Sequence, residues 1–175
     1  MNFSRVIVLL LILLIGVGYV SWHVWQLLPM TVTGKWVVTS ALLLCLVCFF
    51  TNFIFGLDDK PMSVAVALYE LGNSSLFIGF YLLLFFLVLD LGRLFHLVPR
   101  SFLYNSWIGT VSVIVIMTGL FVYGYFNYLH KERVPMVLNS DKPFHQPHRL
   151  VMMSDLHLGY HNRADEFRKW VDMIN

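Results

Sequence analysis

The sequence predicts an α-helical membrane region of four transmembrane helices, followed by a short strand–loop–helix segment. Two observations predict this architecture. Of the 175 residues, 58% are hydrophobic and only 13% are charged, whereas a soluble domain is about 25% charged. The charge is also uneven, because residues 1–130 contain five of the 12 Lys and Arg residues and four of the 10 Asp and Glu residues. Residues 1–130 therefore belong in a bilayer, and residues 131–175 have the composition of a soluble segment.

Four apolar segments are each long enough to cross about 30 Å of hydrocarbon, which takes about 20 helical residues. They run from Val6 to Leu28, from Trp36 to Phe55, from Leu71 to Leu89 and from Trp107 to Tyr128. The first run continues to Leu28 without an A-x-A-like cleavage site, so it predicts a retained helix rather than a signal peptide. The sequence thus predicts a multi-pass integral membrane protein whose partner is the lipid bilayer.

The side of the membrane on which the tail lies depends on the charges of the loops. With four crossings, the tail lies on the same side as the N-terminus. The basic residues on that side are Arg5, Lys60, Lys131 and Arg133, and those on the other side are Lys35, Arg93 and Arg100. The positive-inside rule therefore predicts a cytoplasmic tail.

The tail is divided by its composition into two parts. Residues 131–148 are polar and contain prolines, which predicts a linker with a short extended piece from Val134 to Leu138. Residues 149–175 predict a buried strand from Arg149 to Ser154 that enters a loop at Asp155.

A helical pattern begins at Ala164, with Asn162 as its predicted N-cap. Its apolar residues Phe167, Trp170, Val171 and Ile174 follow the i, i+3, i+4, i+7 spacing of an amphipathic helix. The tail therefore has the order strand, loop, helix.

Asp155 and His157 are the candidate metal ligands. If the chain remains extended through residue 157, these two side chains point to the same side. A carboxylate together with an imidazole suits Mn, Fe or Zn better than Mg or Ca. Alone, Asp-x-His is a weak pattern that occurs often by chance.

The run LVMMSDLHLG, residues 150–159, resembles the first motif of the calcineurin-like metallophosphoesterases, and its place after membrane helices resembles their membrane-anchored bacterial members. The resemblance implies an α/β/β/α sandwich with two divalent metal ions that activate a bridging hydroxide for attack on a phosphoester. Because the membrane helices tether such a domain at the bilayer surface, lipid-linked phosphoesters are the expected substrates. The resemblance also implies that Asp155 and His157 bind the first metal, with Asp155 able to bridge to the second.

The later motifs of that family are Gly-Asp-x-x-Asp, Gly-Asn-His-Asp/Glu and Gly-His-x-His, and the sequence does not contain them. Two side chains leave both metal ions under-coordinated. We therefore expect an incomplete N-terminal part of a phosphoesterase that is inactive by itself.

The alternative is a non-enzymatic polytopic membrane protein, either a transporter or a metal-responsive binder with a His-rich soluble tail. It is based on ionisable residues in or near the predicted membrane helices and on the tail histidines. These residues are Glu70, Asp90, Arg93 and His96, and His145, His148, His157 and His161. Asp90, Arg93 and His96 are spaced by three on one helix face, which favours local pairing at the membrane interface. Glu70, next to small residues, is interpreted as a packing or boundary feature.

Two further patterns are assigned to the membrane helices, and one class of function is excluded. Cys45 and Cys48 lie in an apolar run, which favours small membrane-helix residues over a redox or metal site. Gly109, Ser112 and Gly119 suit close helix contact.

A net charge of +2 without clustered basic residues argues against nucleic-acid binding.

Overall fold

The computed structural model describes residues 3–130, 132, 134–137, 150–153, 159–160 and 163–174, except for the side chains of residues 3–6, 9 and 10. The helices in these residues are α1 (Phe3–Leu27), α2 (Val32–Phe55), α3 (Met62–Leu94), α4 (Arg100–Leu103), α5 (Trp107–Leu129) and α6 (Ala164–Ile174). The chain divides into two compact units, Met1–Tyr123 and Gly124–Asn175, and their boundary lies inside α5.

Three of the predicted membrane crossings are confirmed by length and hydropathy: α2, α3 and α5 are each long and apolar enough to span a bilayer. The fourth crossing, by α1, stays a prediction. The side chains of α1 are described without a gap only from Leu11 to Leu27. This stretch is apolar, but at fewer than 18 residues it is too short to establish a crossing. α3 is about 50 Å long at 1.5 Å per residue, which exceeds the roughly 30 Å of hydrocarbon, so the helix tilts or projects beyond it.

Local sequence explains where α2 begins and ends. Thr31 is the N-cap, and its hydroxyl accepts a hydrogen bond from the Gly34 N–H at 3.3 Å. Gly56 follows the last turn at φ 72°, a left-handed conformation that glycine adopts without steric cost, and its N–H donates to the Asn52 carbonyl. The structure therefore begins α2 at Val32, one turn before the predicted Trp36.

The C-terminus of α3 is closed by a Schellman motif. His96 adopts φ 60°, and its N–H donates to the Arg93 carbonyl at 3.0 Å, while the Leu97 N–H donates to the Gly92 carbonyl at 2.8 Å. The left-handed position in such a motif is usually glycine. α3 extends from Met62 to Leu94, beyond the predicted limits of Leu71 and Leu89. The mainly apolar residues 62–70 before the predicted crossing and Asp90 to Leu94 after it stay helical.

α2 and α3 pack closely because small residues line their contact. A Cβ atom on Gly72 would lie 2.9 Å from the Phe49 Cα atom, so the two backbones approach each other there. Two polar side chains bond across the same contact: the Ser75 hydroxyl donates to the Cys45 carbonyl at 3.0 Å, and the Asn52 amide donates to the Leu68 carbonyl at 2.7 Å. Gly72 and Ser75, two of the small residues that follow Glu70, therefore lie at the contact between α2 and α3.

The C-terminus of α1 is closed by the loop between α4 and α5. The Asn105 and Ser106 N–H groups donate to the carbonyls of Gln26 and Leu27 at 2.8 and 3.0 Å. A Cβ atom on Gly109 would lie 2.8 Å from the Leu27 side chain and even closer to the Phe102 carbonyl oxygen. The core of this unit is a cluster of buried residues from α1, α3, α4 and α5: Val20, Leu27, Leu82, Phe86, Leu103 and Val113.

The predicted role of small residues in α5 is correct only in part. Gly109 is buried at a backbone contact, and Ser112 is half-buried. A Cβ atom on Gly119 would meet nothing within 4 Å. The predicted close contact is therefore not observed at Gly119 among the residues that the structure describes.

In the second unit, the predicted helix is observed and the predicted strand is not. α6 begins at Ala164, and Arg163 takes the N-cap position because its carbonyl accepts the Phe167 N–H; Asn162 lies outside the described residues. Segments 134–137 and 150–153 contain no strand. Leu150 is 86% exposed, so the buried strand predicted from Arg149 to Ser154 is not observed in the described residues 150–153, which pair with no other described segment.

Candidate functional site

The predicted metal ligands Asp155 and His157 lie outside the described residues, as do His145, His148 and His161. Of the surrounding segment, Gly159 and Tyr160 form part of a turn, and α6 begins a few residues later. The metal-ligand prediction therefore stays a prediction. Within the part of the chain that the structure describes, no group of three or more His, Cys, Asp or Glu residues is placed to hold a metal ion.

α6, which follows the predicted site in the sequence, is amphipathic. Trp170 is its buried residue, and Asp165 and Glu166 lie in its first turn, where carboxylates interact favourably with the helix dipole. Lys169 Nζ lies 2.5 Å from Glu166 Oε1, and this hydrogen bond raises the pKa of Lys169. The Glu166–Lys169 pair, three residues apart on α6, stabilises the helix.

The most developed polar site in the described residues is a cluster around the Asp90 carboxylate in the first unit. The Tyr19 hydroxyl donates to Asp90 Oδ2 at 2.7 Å. Arg93 Nη1 donates to Asp90 Oδ1 at 3.4 Å. His23 Nε2 lies 3.0 Å from Asp90 Oδ2. We call Tyr19, His23, Asp90 and Arg93 the Asp90 cluster, and it joins α1 to α3.

The contact between His23 and Asp90 is close but is not a well-aligned hydrogen bond. Although the two atoms are 3.0 Å apart, Nε2 has no hydrogen-bond partner among the described residues. His23 is only 3% exposed. Its ring stacks on Phe86 with centroids 4.8 Å apart and meets the edge of Trp22 at 4.7 Å. Aromatic rings thus hold the imidazole against the carboxylate.

The two sides of the Asp90 cluster differ in exposure. The side chains of Asp90 and Arg93 are 32% and 31% exposed, whereas that of His23 is 4% exposed. The guanidinium contacts the carboxylate through one of its five N–H donors, so others remain for a ligand. One carboxylate and one imidazole are too few to hold a metal ion, but the exposed guanidinium suits an anion.

Local pairing of Asp90 with Arg93 is confirmed. His96 is not part of the cluster, because the chain leaves the helix at that point and the residue is exposed in the Schellman motif. Glu70 lies about 30 Å before Asp90 along α3, so these ionisable residues do not form one site.

Sequence reasoning missed Tyr19 and His23. Both lie in the apolar run of α1 and are spaced by four, so they occupy one face of the helix. A histidine within an apolar membrane helix is itself a signal of a polar partner on another helix. The sequence does not identify that partner, because Tyr19 and Asp90 are 71 positions apart.

A second polar contact lies at the same end of the helices. Lys35 is 9% exposed, and its Nζ donates to Asn105 Oδ1 at 2.6 Å. Asn105 has φ 45° and bonds to the end of α1 through its N–H. No carboxylate of the described residues is paired with Lys35, so its positive charge is uncompensated within that part of the chain.

No family model matches this chain, and neither a curated protein nor a solved structure is significantly similar to it.

Proposed function

We propose that this chain is the membrane anchor and the beginning of the catalytic domain of a metal-dependent phosphoesterase. The observation that carries the proposal is the run Ser154–Gly159, which follows the membrane helices and a polar linker. The formation of α6 after this run supports the helix in the predicted order. In this proposal the strand before the loop forms when further strands of an α/β/β/α sandwich pair with it.

Asp155 and His157 provide the carboxylate and imidazole for the first metal ion in this proposal, and Mn, Fe and Zn accept such a donor set. Two metal ions, when bound, supply an activated hydroxide and stabilise the attacking and leaving oxygens. Two protein ligands do not complete such a site. The proposal therefore requires ligands from polypeptide beyond residue 175.

The membrane region determines which substrates the proposed enzyme meets. Residues 131–148 connect the last membrane helix to the catalytic segment, so the site stays near the bilayer surface. A cytoplasmic tail, as the loop charges predict, places the site at the cytoplasmic leaflet. Phosphoesters with a lipid-linked group are concentrated there, and they are the substrate class that we propose.

The test is Mn²⁺-dependent hydrolysis of bis(p-nitrophenyl) phosphate by the protein produced from its complete gene and purified in detergent. We expect turnover in the wild-type protein and a loss of at least about 100-fold in Asp155→Asn and His157→Ala, since loss of a metal ligand removes the activated hydroxide. The 175-residue chain alone is expected to be inactive.

His145→Ala is the matched control, because it also removes a tail imidazole but is not a ligand in the proposal. We expect it to retain wild-type turnover. Turnover that persists in Asp155→Asn, or absence of turnover in the protein from the complete gene, would contradict the proposal.

The second candidate is a non-enzymatic polytopic membrane protein, either a transporter or a metal-responsive binder with the His-rich tail as its sensor. It is favoured by the Asp90 cluster, because ionisable groups within membrane helices often mark a transport path. Calorimetric titration of the chain with Mn²⁺ and Zn²⁺ separates the two candidates. A sensor binds tightly and loses affinity in His145→Ala and His148→Ala, whereas the phosphoesterase part binds weakly and depends on Asp155 and His157.

A further inference from the structure

An apolar groove runs along the first unit between α1, α2 and α3. Its volume is about 250 Å³, which is more than a packing defect, since a buried cavity of about 150 Å³ already accommodates benzene. On α1 it extends from Ile12 to Val20, about 12 Å, which approaches the depth of one leaflet. The residues that line it include Ile12, Gly16, Val20, Leu46, Gly79 and Leu83.

Two glycines leave the groove open. A Cβ atom on Gly79 would meet only the Leu46 side chain, at 3.8 Å, and one on Gly16 would meet only the Leu83 side chain, at 3.7 Å. Since Gly79 lines the groove and its Cβ position is open, a larger side chain there is expected to fill part of the groove.

The groove leads toward the Asp90 cluster along the same two helices. On α1, Val20 is followed one turn later by His23, and on α3, Leu83 is followed about 10 Å later by Asp90. Arg93 follows three residues later, about 15 Å beyond Leu83 along α3, so an acyl chain that ends in the groove extends past it toward the guanidinium.

The charges at this end favour an anion. The segments 19–36 and 86–107 contain three basic residues, Lys35, Arg93 and Arg100, and one acidic residue, Asp90. The negative charge of Asp90 is compensated by Arg93 and by the Tyr19 hydroxyl. The partly exposed guanidinium of Arg93 uses one N–H donor on Asp90. The geometry of its other N–H donors suits a phosphate.

We propose that this face of α1 and α3 is a binding site for one anionic phospholipid, with an acyl chain in the groove and the phosphate at Arg93. The site is independent of the proposed phosphoesterase function. On the four-helix topology it lies in the leaflet opposite the catalytic tail, so the bound lipid is a component of the membrane unit rather than a substrate of the tail.

The experiment is a titration of the delipidated 175-residue chain in detergent with dioleoyl phosphatidylglycerol, followed by native mass spectrometry. We expect one lipid per chain at low lipid concentration. Arg93→Gln weakens binding by about tenfold, the loss of a charge-assisted hydrogen bond, and Arg93→Lys restores part of it. Gly79→Leu weakens binding independently by filling the groove.

Two controls test whether these losses are specific. Lys60→Gln removes one basic charge at the other end of α3, and Gly119→Leu adds the same side chain as Gly79→Leu at a position with nothing within 4 Å. Both are expected to bind as the wild type does, and far-UV circular dichroism verifies that every variant remains helical.

Three competing results overturn the proposal. Equal binding of dioleoylglycerol means that the headgroup is not recognised, and displacement of the lipid by inorganic phosphate means that the site takes a free anion. Wild-type affinity in both Arg93→Gln and Gly79→Leu means that the lipid binds elsewhere.

Discussion

Asp90 is the residue at which three side chains from two helices meet. Tyr19 donates a hydrogen bond to it from α1 at 2.7 Å, and Arg93 donates to it from the next turn of α3. A carboxylate near an apolar environment is costly unless its charge is compensated. The hydroxyl and the guanidinium supply that compensation, so Asp90 stabilises the contact of α1 with α3 instead of destabilising α3.

Asp90→Ala leaves the Tyr19 hydroxyl and the Arg93 guanidinium without their acceptor. We expect the free energy of unfolding to fall by about 2 kcal/mol, the cost of removing one partner from a partly buried hydrogen-bonded group. An SDS titration followed by far-UV circular dichroism measures this change. Asp59→Ala, in the exposed turn between α2 and α3, is the control and is expected to stay within about 0.5 kcal/mol of wild type.

α2 and α3 make the most extensive helix–helix contact among the described residues. That contact depends on the absence of a side chain at Gly72. Within a bilayer, lipid tails are as apolar as leucine, so close packing and hydrogen bonds between helices replace the hydrophobic driving force. The hydrogen bonds of Ser75 and Asn52 to backbone carbonyls of the facing helix are possible only because the backbones lie close.

Gly72→Leu is expected to separate α2 from α3 and to lower the free energy of unfolding by about 3 kcal/mol, since its Cβ atom would lie 2.9 Å from the Phe49 Cα atom. The same SDS titration measures the change. Gly119→Leu makes an identical substitution where the Cβ atom has open space and is expected to have little effect. Equal stability of the two variants would refute the packing role of Gly72.

At the scale of the whole chain, the membrane topology determines which compartment each loop between the helices faces. The turn at residues 56–61 and the segment around α4 lie at opposite ends of α3. If α3 crosses the membrane, these two segments face opposite compartments. The loop charges predict that the turn is cytoplasmic.

Single cysteines introduced as Lys60→Cys and Ser101→Cys, with Cys45 and Cys48 replaced by serine, test this topology. Both positions are exposed. We expect a membrane-impermeant maleimide to label Ser101→Cys in intact cells and Lys60→Cys only after permeabilisation. Labelling of Lys60→Cys alone in intact cells would invert the topology, and labelling of both would rule out the crossing by α3.

The sequence by itself determined that α2, α3 and α5 are long apolar helices able to span a bilayer, because apolar runs of this length have few alternatives to a membrane helix. It located α5 to within a residue or two, and it predicted the pairing of Asp90 with Arg93 and the helix at Ala164, since these features depend on neighbours three or four positions apart. It was less accurate for α3, whose helix continues beyond the predicted crossing at both ends, and for residues 150–153, since a strand requires a partner that a periodic pattern does not supply.

Only the tertiary structure decided which distant residues meet. The Asp90 cluster, the closure of α1 by Asn105 and Ser106, and the backbone contact at Gly72 all join residues from different helices. His96 likewise changed from a candidate for transport to the residue that ends α3. The physical reason is that helix formation depends on local hydrogen bonds and apolar periodicity, whereas a site between helices depends on their packing, which a single sequence does not encode in any local pattern.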